Sequence, residues 1–584
     1  MPLVKILIVT DDDGGYQRST SVSHKFHLGE FVKVLNETDW DGFTIQITRA
    51  HRSADPSPAT PQPTHPIGAD LYGFRFSATS LSGFDMVLFF SIASKLDDPV
   101  SSDTSRQAEA AAVAAFMEAG GGFFAAGDHE DLGASINQHI PRVRSMRRWA
   151  HPSTGPHSGA VAPTGTEADR HDTLQAGSDS GTLMGTTYSY QFNDQSDALP
   201  QTIETRSYVV SKSKYFLSTL PHPLLCCPLG RINVLPDHMH EGWCEVPSNL
   251  SLDENLPGRA GKKEYPNDAD GAQVEPEVIA EATVLAHATL NQEFAGSTFA
   301  VSPATTGAPY SFGVIAAYDG HRANVGRVVV DATWHHFVNI NVIGTSFTTS
   351  GLNPAKAKGF YNGPGDTPNA DYQRIMWYFR NLVYWLIPAN RTTLIIASWA
   401  TAVMRHPNWE QFKTLRWHTD LSPTAAFTRL IHFAQLAEDY FAGARGHCLK
   451  YQLLPIILYP IRKLFPWEIW QEILPEIAPW EAGEIDWQPQ PAWRQAVLPD
   501  ANLLRHALLG TVVLAATEIV GRYDEMTEKH LQKIQARTLE LLPQHLRLVG
   551  NQIEAGARDA KNLANRFAKL AEGLTAKAKE PAIA

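Results

Sequence analysis

Residues 105–130, SRQAEAAAVAAFMEAGGGFFAAGDHE, decide the fold class. Positions 105–119 are rich in helix formers and stop at Gly120-Gly121-Gly122, a helix-end signal. Residues 122–126 (GFFAA) then read as a buried strand, with Gly127, Asp128, His129 and Glu130 at its carboxyl end. Upstream, residues 3–9 (LVKILIV) and 84–90 (FDMVLFF) are strands of the kind buried on both faces, and residues 43–48 are a further strand. A helical stretch near residues 28–35 separates the first two. Strand, helix, strand alternation predicts βαβ units: an α/β fold with a doubly wound, mostly parallel sheet.

The rest of the chain fits around that frame. Residues 53–66 carry five prolines and read as a surface loop. Residues 151–200 and 251–275 are polar and read as insertions. Residues 311–318 (SFGVIAAY) and 326–331 (GRVVVD) are late strands, and a helix over 371–386 closes a domain spanning 1–388. Beyond Pro388 strand patterns disappear. Eight of the 14 tryptophans lie past residue 390, and prolines punctuate apolar runs, so 389–584 reads as an all-helical accessory domain. Ile553, Ala560, Phe567 and Leu574 recur every seven residues, with Leu563 and Leu570 between them, a narrow seam that needs a partner surface. That surface belongs to the same chain, to a second copy or to another protein.

Composition excludes several function classes. Lys+Arg number 49 against 61 Asp+Glu, a net charge of −12, which disfavours nucleic acid as a partner. Four cysteines (Cys226, Cys227, Cys244 and Cys448) are too few for a disulfide scaffold and point to a reducing compartment. The N-terminal apolar run ends in three acids, unlike a signal peptide, and the most apolar later stretch, residues 507–516, is too short for a membrane span. A cytoplasmic protein without a membrane span is expected.

Ligands of open parallel sheets bind outside the carboxyl ends of the strands. Four polar clusters fall there: Asp11-Asp12-Asp13, Asp128-His129-Glu130, Asp237-His238-Met239-His240-Glu241 and His335-His336. Imidazole with carboxylate is the donor set of zinc, iron and manganese, and also of general acid–base catalysis without metal. Asp128, His129, Glu130 and His335 are the candidate catalytic groups. Asp237, His238, His240, Glu241 and His336 are the candidate ligands of a divalent metal such as zinc. Asp12, Arg142 and Arg144 are candidates for holding a small polar or anionic substrate, because guanidinium groups grip carboxylate or phosphate. The alternative for all of them is loop-tying hydrogen bonds and surface ion pairs.

The helix end Gly120–Gly122 leading to a strand and Gly127-Asp128-His129, with the later Gly326-Arg327-Val328 strand ending near His335, resembles the class I glutamine amidotransferase-like superfamily. Its trehalose-utilisation (ThuA-like) branch is the nearer match, over residues 1–386. The resemblance implies a flavodoxin-like fold. The nucleophilic cysteine of glutamine amidotransferases is replaced by Asp128-His129-Glu130, so no glutaminase is expected. Two functions follow: a hydrolase-like enzyme, metal-assisted or not, on a small polar or anionic substrate, or a catalytically silent small-molecule-binding or scaffolding protein.

Overall fold

The computed structural model describes residues 2–10, 27–40, 43–52, 70–91, 103–127, 134–147, 201–212, 217–236, 243–268, 271–284, 310–343, 360, 368–391, 422, 425–435, 501–520 and most of 533–558. The chain forms two compact units. Met1–Val209, Leu217–Thr392 and Arg445–Cys448 make the first; Val210–Phe216, Thr393–Ala444 and Leu449–Ala584 make the second.

The first unit is built on a nine-stranded sheet. Its strands are β1 (Leu3–Thr10), β2 (Thr44–His51), β3 (Asp70–Leu71), β4 (Met86–Ser91), β5 (Gly122–Gly127), β6 (Glu204–Thr205), β7 (Glu277–Val284), β8 (Tyr310–Tyr318) and β9 (Val328–Asp331). The order is β3-β2-β1-β4-β5-β9-β8-β7-β6. The six strands from β3 to β9 run parallel, and β8, β7 and β6 continue the sheet antiparallel. β1 lies between β2 and β4, with Ile6 opposite both Ile47 and Met86. Every residue of β4, β5 and β9 is buried, which is why these segments read as unbroken apolar runs.

Side chains alternate across the sheet and recruit a helix to each face. Phe90 and Phe124 point to one face. There they meet Phe337 at 5.1 Å, with Phe31 of α1 (Gly29–Glu37) and Phe379 of α4 (Ala370–Leu386) in the same aromatic cluster. Phe89 and Phe123 point to the other face and meet Phe76. The Phe76 N–H donates to Glu109 of α2 (Asp103–Glu118), which places α2 on that side.

The triple glycine is a Schellman helix stop. Gly120 adopts φ 97°, its N–H reaches Met117 O, and the Gly121 N–H reaches Phe116 O. Backbones then close in. A Cβ on Gly122 would lie 2.1 Å from Leu386 O, and one on Gly326 would lie 1.9 Å from Gly121 O. The Gly326 N–H donates to Met117 O at 2.6 Å, so the two glycine motifs seen in the sequence pack on each other.

Among the described residues the expected strands and the helices near 28–35, 105–119 and 371–386 are present with shifted ends. Residues 277–284 add a strand, and three strands extend the sheet antiparallel. The expected loop at 53–66 and insertion at 151–200 lie outside the described residues. The 251–275 stretch is more than a polar excursion: Glu254 and Glu264 are fully buried, and Tyr265 is 1% exposed. Cys226 is disulfide-bonded, while Cys227 and Cys244 are free and buried.

In the second unit the described residues are helical at 425–435, at α5 (Ala501–Val520) and through most of 533–552. α5 packs closely on the first of these, since a Cβ on Gly510 would lie 2.4 Å from Leu430 O. It meets the last through a Thr511 Oγ1–His545 Nδ1 hydrogen bond of 2.9 Å and the Glu518–Arg537 ion pair. The seam residues Ile553, Ala560, Leu563, Phe567, Leu570 and Leu574 lie outside the described residues. No described helix is long and apolar enough to cross a membrane.

Candidate functional site

The parallel strands deliver Thr10, His51, Ser91, Gly127 and Asp331 to one edge of the sheet. Asp331, the last residue of β9, has no solvent exposure. A buried carboxylate requires donors, and three supply it. The Tyr378 hydroxyl of α4 donates at 2.7 Å, the Thr333 N–H at 3.2 Å, and His336 Nδ1 lies 2.8 and 3.0 Å from the two oxygens. Burial, then the Asp331 charge, pushes the Tyr378 phenol well above its usual range, so it remains a donor.

A single 3₁₀ turn, Trp334–His336, places both histidines. Thr333 Oγ1 caps it by accepting from the His335 N–H at 3.1 Å. His335 stacks on Trp334, ring centroids 4.1 Å apart, and its Nδ1 meets Asn341 Oδ1 at 3.1 Å. His336 turns to Asp331 instead. A carboxylate only accepts, so Nδ1 carries a proton and Nε2 is the ring nitrogen left for another partner. That Nε2 is buried and hydrogen-bonds to none of the described residues.

Two neighbours complete the edge. Arg147 is fully buried, and its Nη2 donates to Gly127 O and Ala332 O, each at 2.6 Å. It therefore ties the end of β5, where Asp128 follows, to the turn after Asp331. Cys244 donates from Sγ to Val330 O at 3.5 Å. Burial pushes its thiol far up; Arg147 opposes that rise and Asp331 adds to it. It is therefore a thiol, not a thiolate nucleophile, at neutral pH.

At the β2 end, His51 Nδ1 lies 3.5 Å from Thr10 Oγ1, and the ring stacks on Tyr72 at 4.8 Å. Burial, helped by Arg49, lowers its pKa to about 4, so this imidazole is neutral. Beside it Arg52 grips Glu109 with two bonds of 2.7 and 3.0 Å, a clamp between β2 and α2.

Of the sequence candidates, His335 and His336 come together at this edge. Asp12, Asp128, His129, Glu130, Asp237, His238, His240 and Glu241 lie outside the described residues. Arg142 and Arg144 are engaged elsewhere. The Arg142 N–H donates to Glu264 Oε2 at 2.8 Å and its Nε to Glu264 O at 2.6 Å, while Arg144 pairs with the Glu264 carboxylate. Among the described residues no group of three His, Cys, Asp or Glu side chains is arranged to hold a metal ion. Asp331, Tyr378 and Asn341 are not among the sequence candidates, whereas Arg147 belongs to the arginine-rich 141–149 stretch read as a possible anion holder. Asp331 carried a usable signal, an acid ending a fully apolar strand; Tyr378, on a distant helix, carried none. No protein-family model, no curated protein and no solved structure matches the chain.

Proposed function

We propose that the protein is a hydrolase-like enzyme acting on a small polar or anionic substrate, with His336 as its general base. The observation that carries this is the Asp331–His336 pair at the carboxyl edge, whose Nε2 hydrogen-bonds to none of the described residues. Asp331 fixes the ring and its tautomer, and Nε2 takes the proton of an attacking water. A positioned base of this kind contributes about 10²–10⁴-fold in rate. The first parallel strands, taken without the two-residue β3, follow the order 2-1-3-4-5, which supports a flavodoxin-like, amidotransferase-like frame related to the ThuA-like branch. In this reading residues 389–584 form a helical accessory domain.

A carboxylate behind an imidazole is also the form a metal-ligating histidine takes, which supports a metal-assisted version using Nε2. The full burial of both histidines favours a second reading, a catalytically silent small-molecule binder. The test is a panel of ester, amide and phosphoester substrates, together with metal analysis of the purified protein. Turnover by the wild type that His336→Gln abolishes is expected. A panel without turnover, from protein free of stoichiometric metal, selects the silent binder.

A further inference from the structure

We propose that a cavity at the opposite edge of the same sheet binds a small polar molecule through a phosphate or carboxylate group. This goes beyond the hydrolase reading and does not depend on it. The cavity measures about 850 Å³, within the range of small-molecule sites, and its walls include Glu118, Arg142, Glu254, Lys262, Lys263 and Tyr265. Glu118 ends α2 just before β5 begins, and residues 323–325, also in the wall, come just before β9. The cavity thus sits at the amino ends of strands whose carboxyl ends hold Asp331 and Gly127.

Charge favours an anion. The ion pairs around the cavity join five cations (Arg142, Arg144, Arg259, Lys262 and Lys263) to four carboxylates (Glu118, Asp253, Glu254 and Glu264). One positive charge is left over on a chain whose net charge is −12. Arg142, in the cavity wall, is 1% exposed and pairs with Glu254 through Nη2 at 3.9 Å, while its Nη1 hydrogen-bonds to none of the described residues. An unmet donor on a buried guanidinium is costly, and a ligand oxyanion is the group that fits its planar fork.

The backbone of Arg142 is a second, independent sign. Its φ of 69° with ψ of −41° lies where side-chain-bearing residues are strained. Glu264 holds it there through the bonds to its N–H and Nε, and the Glu264 carboxylate also accepts from Ser145, whose hydroxyl bonds Tyr265 at 2.6 Å. Strained residues locked by their surroundings concentrate at ligand clamps. Lys262 and Lys263, about half exposed, flank the mouth. The cavity is larger than a bare ion, so the anionic group belongs to a larger polar molecule.

The test is isothermal titration of the full chain at low salt with inorganic phosphate and with citrate. Because Arg142 is buried and its replacement endangers the fold, the variants are the surface pair Lys262→Ala/Lys263→Ala, and His336→Gln. Saturable binding of either probe is expected. It should be weakened about tenfold or more in the double-lysine variant, the scale of one lost charge-assisted hydrogen bond. It should be unchanged in His336→Gln. Failure of both probes to bind overturns the proposal. So does equal binding by the double-lysine variant, or loss of binding in His336→Gln, which would move the site to the other edge. Turnover plays no part, so failure of the hydrolase reading leaves this result standing.

Discussion

Replacing Gly326 by alanine tests the join between the two glycine motifs that frame the site. The added Cβ would stand 1.9 Å from Gly121 O. Ordinary contact needs roughly 3.4 Å, so a backbone must retreat by about 1.5 Å, and no rotamer change can absorb that. The retreat works against the Gly326 N–H bond to Met117 O and the register Val328↔Phe123 that starts the β9–β5 ladder. Overpacking costs about 1–3 kcal/mol where side chains yield, so about 3 kcal/mol is expected here. Gly120 is the internal control. Its φ is 97°, but its Cβ would meet nothing within 4 Å, so Gly120→Ala carries only the left-handed penalty of about 1–2 kcal/mol. Urea unfolding followed by tryptophan fluorescence measures both, with the slope checked for constancy. A Gly326→Ala protein within about 0.5 kcal/mol of wild type, or more stable than Gly120→Ala, would refute this packing.

Further outcomes follow from buried groups and from the second unit. Burial lowers the His222 pKa to about 3, so the folded state binds fewer protons than the unfolded one between that value and 6.5. Stability should therefore fall as pH drops through that window, and His222→Asn should flatten the fall in urea midpoints. Burial raises Glu277 to about 7 from 4.5, so stability should fall as pH rises between these values, by about 3 kcal/mol in the limit. Glu277→Gln should remove that slope; an unchanged slope would contradict the assignment. Cys244 should resist iodoacetamide in the folded protein, and Cys244→Ser should keep any turnover, whereas loss of turnover in a folded Cys244→Ser protein would restore a thiol role. Truncation after Gly550 should lower thermal stability if the seam packs within the chain, or yield a monomer by sedimentation if it joins two copies. No change in either would show that the heptad pattern is a tail.

The parallel half of the sheet was legible because β1, β4 and β5 are buried on both faces and the intervening helix ends in glycine. β7 was not: residues 277–284 (EVIAEATV) carry glutamates at 277 and 281 and join the sheet through antiparallel pairing with β8 and β6. The histidine turn was legible as a polar cluster after a strand, but its chemistry was not. Asp331 becomes the orienting group only when Tyr378, 47 residues later, closes over it. The pairing of Arg142 and Arg144 with Glu264 was not legible, because that partner is far along the chain. Glu264, 122 residues from Arg142, lies in a stretch whose polarity concealed two fully buried carboxylates.

The central claim is that Asp331 and His336 work as one unit at the carboxyl edge. A double-mutant cycle on kcat/KM, using the best substrate from the panel with Asp331→Asn, His336→Gln and the two combined, tests it most directly. Groups that act together lose their effect together, so the double variant should be no slower than His336→Gln alone, about 10²–10⁴-fold below wild type. Losses that add independently, or a His336→Gln enzyme as fast as wild type, would contradict the account.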